Sequence, residues 1–119
     1  MSPAEDRHYM EWHDVGGVAV VRFTTAFLRD ERVIRSVFDE LDDLVASGKK
    51  KMLIDFTGLE AFASFAIGKL LRLNDRLRAE GRLALCALTP IIGEIIDIMN
   101  LRKAFHVYPD ERSALESFV

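Results

Sequence analysis

Short apolar runs at residues 18–23, 52–54 and 82–87 alternate along the chain with segments whose apolar residues fall at helical spacing. Strands that alternate with helices mark a largely parallel sheet, because each parallel neighbour is reached by a crossover and right-handed helical crossovers also cover the faces of the sheet. Ahead of this series lies one more strand-like run at 9–14, separated from 18–23 by Val15, Gly16 and Gly17. Adjacent glycines supply the positive φ angles of a tight hairpin. The expected fold class is therefore α/β, a mixed and largely parallel sheet of about four or five strands with an N-terminal β-hairpin and about four helices.

The helices follow from apolar spacing and end signals. Val33, Ile34, Val37, Phe38, Leu41, Leu44 and Val45 share one helical face, with Asp30 placed to cap its start and Gly48 to end it. A second helix is predicted over 64–80, with Ile67, Leu70, Leu71 and Leu77 inward, Lys69, Arg72, Arg76 and Arg78 outward, and Gly81 as terminator. Thr89-Pro90 provides an N-cap and a first-turn proline for a third, running to about Asn100. A short strand is expected over 105–108, and Pro109-Asp110 opens a terminal helix carrying Ala114, Leu115 and Phe118. At 119 residues the chain fits one core, with 1–8 as a flexible N-terminus and 9–119 as the domain.

Composition narrows the function. The net charge is −3 and the one basic run, Lys49-Lys50-Lys51, follows a helix end, so a surface built to neutralise nucleic-acid phosphates is not expected. No apolar run approaches the ~20 residues of a membrane span, and the polar, acidic start lacks the basic and apolar segments of a secretory leader. A cytoplasmic product without membrane insertion is expected. Cys86, the single cysteine, lies in an apolar run and reads as a buried structural thiol. His8, His13 and His106 show no spacing relative to Ser64 or Cys86 that builds a triad, and neither H-E-x-x-H nor C-x-x-C occurs. The segment from Ile54 to Ser64 has Gly58 alone and resembles no phosphate loop. Asp55, at a strand end, is read as accepting hydrogen bonds from the amides of the turn that follows. No catalytic residue, metal site or cofactor is expected.

What stands out is the connection Gly58-Leu59-Glu60-Ala61-Phe62-Ala63-Ser64-Phe65-Ala66-Ile67-Gly68, which is too apolar for a simple surface turn. Ser64 is the natural N-cap of the second helix, its hydroxyl accepting from a first-turn amide. Phe62 and Phe65 fit either the core or a partner surface, and at least one is expected to be buried. The third helix carries Ile91, Ile92, Ile95, Ile96, Ile98 and Met99, more apolar positions than one inward stripe requires.

Several of these segments resemble STAS domains, and within them the bacterial anti-sigma-factor antagonists. The likeness rests on Asp55-Phe56-Thr57-Gly58-Leu59-Glu60, the serine turn, Leu70-Leu71, Arg76-Leu77-Arg78-Ala79-Glu80-Gly81, Leu83-Ala84-Leu85, Thr89-Pro90 and Asn100-Leu101-Arg102-Lys103-Ala104-Phe105. It extends over 18–118 and implies a single STAS-like domain. In that family the turn reads Asp-Ser-Ser/Thr-Gly, and its first serine is phosphorylated by a partner kinase that is also the anti-sigma factor. Ser64 matches that serine, while Ala63, Phe65 and Ala66 replace the other three motif residues. In the loop after the second strand Leu28 stands roughly where the family commonly has an acid.

The resemblance implies a non-catalytic regulatory module that binds an anti-sigma factor or Ser/Thr-type kinase, with Ser64 as the phosphorylation candidate. Phe62, Ala63, Phe65, Ile67, Lys69, Ile91 and Ile95 are the candidate partner-binding residues, and a homodimer is compatible with it. The alternative is a STAS-like scaffold subunit of a signalling or phospholipid-transport complex that needs no phosphorylation.

Overall fold

The structure is a computed structural model that describes residues 9–119. The tail expected over 1–8, with His8, lies outside the described residues. Strands β1 (Met10–Val15) and β2 (Val18–Phe23) form the expected antiparallel hairpin, in register from Met10 opposite Phe23 to Val15 opposite Val18. Gly16 and Gly17 both take positive φ, +56° and +89°, as a two-residue turn of this hand requires.

From β2 the chain crosses over through α1 (Glu31–Ala46) to β4 (Lys51–Asp55), through α2 (Ser64–Glu80) to β6 (Arg82–Cys86), and through α3 (Pro90–Ile98) to β7 (His106–Tyr108). These pair in parallel, giving the sheet order β1-β2-β4-β6-β7, and α4 (Glu111–Glu116) closes the described chain. Five strands in the main sheet and four helices of six to seventeen residues are thus the frame the alternation predicts, and the two long helices span the predicted ranges. Asp30 caps α1, its carboxylate accepting from the amides of Arg32 at 2.8 Å and Val33 at 3.3 Å. Gly48 ends it in the left-handed region at φ +108°, with Lys49 N–H donating back to the Leu44 carbonyl.

Side chains alternate between the sheet's two faces. Val21, Phe23, Met52, Ile54, Leu83 and Leu85 face the principal core, where Ile34, Phe38 and Leu41 of α1 and Ile67, Leu70 and Leu77 of α2 cover them. Val18, Val20, Leu53, Ala84 and Cys86 face the other way, onto Ala114 of α4. Arg82 reaches beneath the C-terminal segment, donating to the Ser117 carbonyl at 3.1 Å and stacking over Phe118 at 4.7 Å.

A second, smaller sheet departs from the sequence reading, which left both of its segments as loops. Here β3 (Phe27–Leu28) pairs in parallel with β5 (Ala61–Phe62). Runs of two residues carry no periodicity to read. The pairing draws the loop after β2 against the loop after β4, and Phe56 packs there edge to face on both Phe23 and Phe62 at 5.5 Å between ring centroids, with Phe23 and Phe62 tilted at 6.3 Å.

At the start of α4, Glu111 forms an ion pair with Arg22 of β2, and Arg22 also lies 3.5 Å from Asp55. Burial would raise the Asp55 pKa, but hydrogen bonds from Glu111 and Thr57 and the Arg22 charge outweigh it, so Asp55 sits below the ordinary carboxylate range. Glu111 is pushed the other way, first by its contact with Asp55 and then by burial.

Two predictions follow from this packing. A Cβ at Gly81 would lie 1.9 Å from the Lys50 carbonyl oxygen, whereas one at Gly68 meets nothing within 4 Å. Gly81→Ala is expected to cost about 2 kcal/mol or more by overpacking, and Gly68→Ala to stabilise by up to about 1 kcal/mol through helix propensity, both read from urea midpoints at unchanged slope. For Glu111, ionised above 4.5 when unfolded but harder to ionise in the fold, stability is lost as pH rises through its folded pKa. The stability of Glu111→Gln relative to wild type should therefore increase upward from pH 4.5; a decrease would mean that the Arg22 ion pair dominates.

Candidate functional site

The connection between β4 and α2 is built to hold its shape. Asp55 accepts hydrogen bonds from the Thr57 amide at 2.8 Å and the Thr57 hydroxyl at 2.6 Å, as its turn role predicts. Gly58 turns the chain at φ +80°, and Leu59 is fully buried with its amide donating to the Phe56 carbonyl. Thr89 does occupy the N-cap position of α3 with Pro90 behind it, but its hydroxyl caps nothing. That hydroxyl donates instead to the Leu59 carbonyl at 2.7 Å and ties the start of α3 to the turn.

Ser64 is not the N-cap of α2. Ala63 is, in extended geometry and with no side-chain cap bond, and Ser64 is the first helical residue. The reason is the small sheet: the Ala63 amide donates to the Leu28 carbonyl at 3.0 Å, which keeps the chain in strand geometry one residue further. The Ala63 carbonyl then accepts from Ala66 and Ile67 to begin the helix. Ser64 is exposed, and its hydroxyl makes no hydrogen bond among the described residues. The serine is thus released from the capping role that would otherwise account for it.

The candidate partner residues divide by burial. Phe62 at 6% exposure and Ile67 at 2% belong to the core. Ala63, Phe65, Lys69 and Ile95 are half-buried, and Ile91 is 51% exposed. On α3, Ile92 and Ile96 supply the inward stripe, and Ile98 and Met99 join Ile91 at the surface as the apolar surplus that its sequence suggests. Phe27 on β3 is also half exposed.

Sequence reasoning missed the charge around Ser64. Arg35 of α1 comes alongside Ser64, Phe65, Gly68, Lys69 and Arg72 of α2, and these six residues line a surface concavity of about 370 Å³. The Arg35 guanidinium lies 5.0 Å and the Lys69 ammonium 5.6 Å from the centre of the Phe65 ring, within cation–π reach. Outward-facing Lys69 and Arg72 were legible from helical spacing, but nothing local to Arg35 signals that α1 packs its first turns beside Ser64.

Other reactive groups lie elsewhere. Cys86 is fully buried, and burial above all pushes its thiol pKa up to about 12, far from a nucleophilic thiolate. His13 and His106 are exposed on opposite edge strands of the sheet. Among the described residues no group of three or more His, Cys, Asp or Glu is placed to hold a metal, and no helix is long and apolar enough to cross a membrane.

Comparison with known proteins agrees with this architecture. Among solved structures, an anti-sigma-factor antagonist (STAS) domain protein from Planctomyces limnophilus is similar at a TM-score of 0.83, with 23% identity over 92% of this chain and 97% of that one. An anti-sigma factor antagonist from Mycobacterium paratuberculosis gives 0.82, with 23% identity and 92% of each chain covered. The phosphorylated form of the Bacillus cell fate determinant SpoIIAA gives 0.70, with 17% identity over 91% of this chain and 97% of that one. No curated protein sequence matches the chain. The STAS domain family model matches residues 9–114, so that, with the hairpin, the parallel crossovers and the serine at the start of α2 in place, the chain belongs to the STAS domain family.

Proposed function

We propose that the chain is a cytoplasmic, non-catalytic regulatory module that docks an anti-sigma factor or Ser/Thr-type kinase partner on the surface around Ser64, with phosphorylation of Ser64 as the switch. The observation that carries this reading is the Ser64 hydroxyl itself, exposed and uncommitted to a cap, on the residue that the resemblance matches to the family's serine. Phe65 lines the same concavity, and the Thr89 bond to Leu59 ties the start of α3, with exposed Ile91, to the turn that leads into Ser64. SpoIIAA, a structural relative, is known in phosphorylated and unphosphorylated forms.

The physics of such a switch is local. A phosphoserine adds about −1.5 to −2 charge at a helix start, where the dipole tolerates it, so the domain stays folded. A partner that covers Phe65 must then desolvate that charge, and each ~1.4 kcal/mol of penalty weakens binding tenfold. Neither nucleic acid nor membrane insertion enters the scheme, and pairing of two copies is compatible with it.

One observation favours a second reading, a scaffold subunit of a signalling or phospholipid-transport complex. Ala63, Phe65 and Ala66 replace three of the four residues of the family's serine motif. The fold also occurs inside larger chains, since this one is similar to 18% of the murine anion transporter Slc26a9 at a TM-score of 0.67.

Incubation with ATP and the cognate kinase, followed by phosphosite mapping, is expected to label Ser64. Ser64→Ala should keep partner affinity and Ser64→Asp should weaken it at least tenfold, measured by titration calorimetry. Absence of label, together with equal affinity of the Asp and Ala variants, would replace the switch with the scaffold reading.

A further inference from the structure

The chain as a whole carries a net charge of −3, yet the surface beside Ser64 has the opposite sign. Of the three cations lining its concavity, Arg35 is held by Glu31 at 3.1 Å in an exposed i, i+4 pair of the weak kind. Lys69 and Arg72 have no carboxylate partner among the described residues. Further along the groove between α1 and α2, Asp42 lines a second concavity with Lys69 and Arg72 but is engaged by Arg76 at 3.1 Å. Ala63, Phe65 and Ala66, flanking the serine, bring no charge of their own.

The floor of the concavity is equally specific. Ser64, Gly68 and Arg72 stand at i, i+4 and i+8 in one row along α2, and helical side chains lean toward the N-terminus, which sends Lys69 and Arg72 back toward Ser64. Gly68 lies between them. It has no positive φ, and a Cβ there meets nothing within 4 Å, so neither backbone nor packing calls for glycine at an interior helical position where glycine is unfavourable. What its missing side chain does is leave the space between Ser64 and Arg72 open.

The geometry points to a phosphoryl-holding pocket in cis: Arg35, Lys69 and Arg72 receive the phosphoryl group carried on Ser64 Oγ, over the floor that Gly68 leaves open. This rests on the reading of Ser64 as the modified hydroxyl. In the transfer, Ser64 Oγ forms a bond to the γ-phosphorus of a nucleoside triphosphate held by the kinase. The bond from that phosphorus to the β,γ-bridging oxygen breaks, the diphosphate leaves with its electron pair, and the serine proton passes to the kinase's base. Arg35 and Lys69 then exchange the Phe65 ring for charge-assisted hydrogen bonds to phosphoryl oxygens. Phosphorylation thereby both adds a group and uncovers an aromatic ring.

The test installs phosphoserine at position 64 by semisynthesis, so that it is independent of any kinase: failed kinase labelling counts against Ser64 as the substrate and leaves the pocket to be judged here. Thermal unfolding at low salt is compared with and without the phosphate in wild type and in Lys69→Gln/Arg72→Gln. The change in Tm on phosphorylation is expected to be more favourable in wild type by about 4 °C or more, and the difference to shrink in about 0.5 M salt. Gly68→Leu, which keeps all three cations, should lose the same difference by filling the floor. Equal shifts in wild type and the double variant would overturn the proposal. Inorganic phosphate titrated into the unmodified protein, followed by amide shifts over 64–72, separates the two sources of the group. Phosphate binding that depends on Lys69 and Arg72, without coupling to phosphoserine, would reassign the pocket to a soluble phosphoryl ligand and overturn the cis assignment.

Discussion

Everything at the serine surface depends on the pairing of β3 with β5. Four residues in two short strands bring the loop after β2 against the loop after β4, and the Ala26 and Leu28 carbonyls accept from the amides of Glu60, Ala61 and Ala63. Without that pairing the amides would turn to solvent and Phe62 would lose its place against Phe23 and Phe56. The apolar character of the connection follows: Leu59 and Phe62 are buried because this segment is a strand of a small sheet, with a core of its own to complete.

The other end of the molecule is held by charge. The sheet face opposite α1 and α2 is covered mainly by α4, a helix too short to bury much apolar surface by itself. Arg22 with Glu111 and Asp55 fixes its start, and Arg82 with Ser117 and Tyr108 fixes the segment that follows. The carboxyl pair beneath Arg22 belongs to this anchoring and lies apart from the serine surface.

The sequence made the large elements legible because each is long enough to show its period. The α1 face from Ile34 to Val45, the glycine pair of the hairpin and the β–α alternation all reappear in the fold, with their stop signals in place. What escaped was set by contacts distant in sequence. Two-residue strands have no period, so the small sheet was unreadable, and with it the shift of the helix start that makes Ala63 the cap and frees Ser64. Thr89 escaped likewise: cap residue and proline were in sequence, but the Leu59 carbonyl that takes its hydroxyl is thirty residues away. The cations around Ser64 were half legible, since Lys69 and Arg72 follow from helix geometry whereas Arg35 arrives only through the packing of α1 on α2.

The bond from Thr89 to Leu59 has a mechanical meaning as well. Leu59 lies five residues before Ser64 in a segment pinned on its other side by β3, so the turn has little freedom to move except together with the start of α3. Ile92 and Ile96 hold the helix in the core beyond Thr89, and Ile98 and Met99 lie at its far, exposed end. One hydrogen bond and two buried isoleucines, Ile92 and Ile96, thus set the placement of the exposed apolar residues of α3 relative to the segment that leads into Ser64.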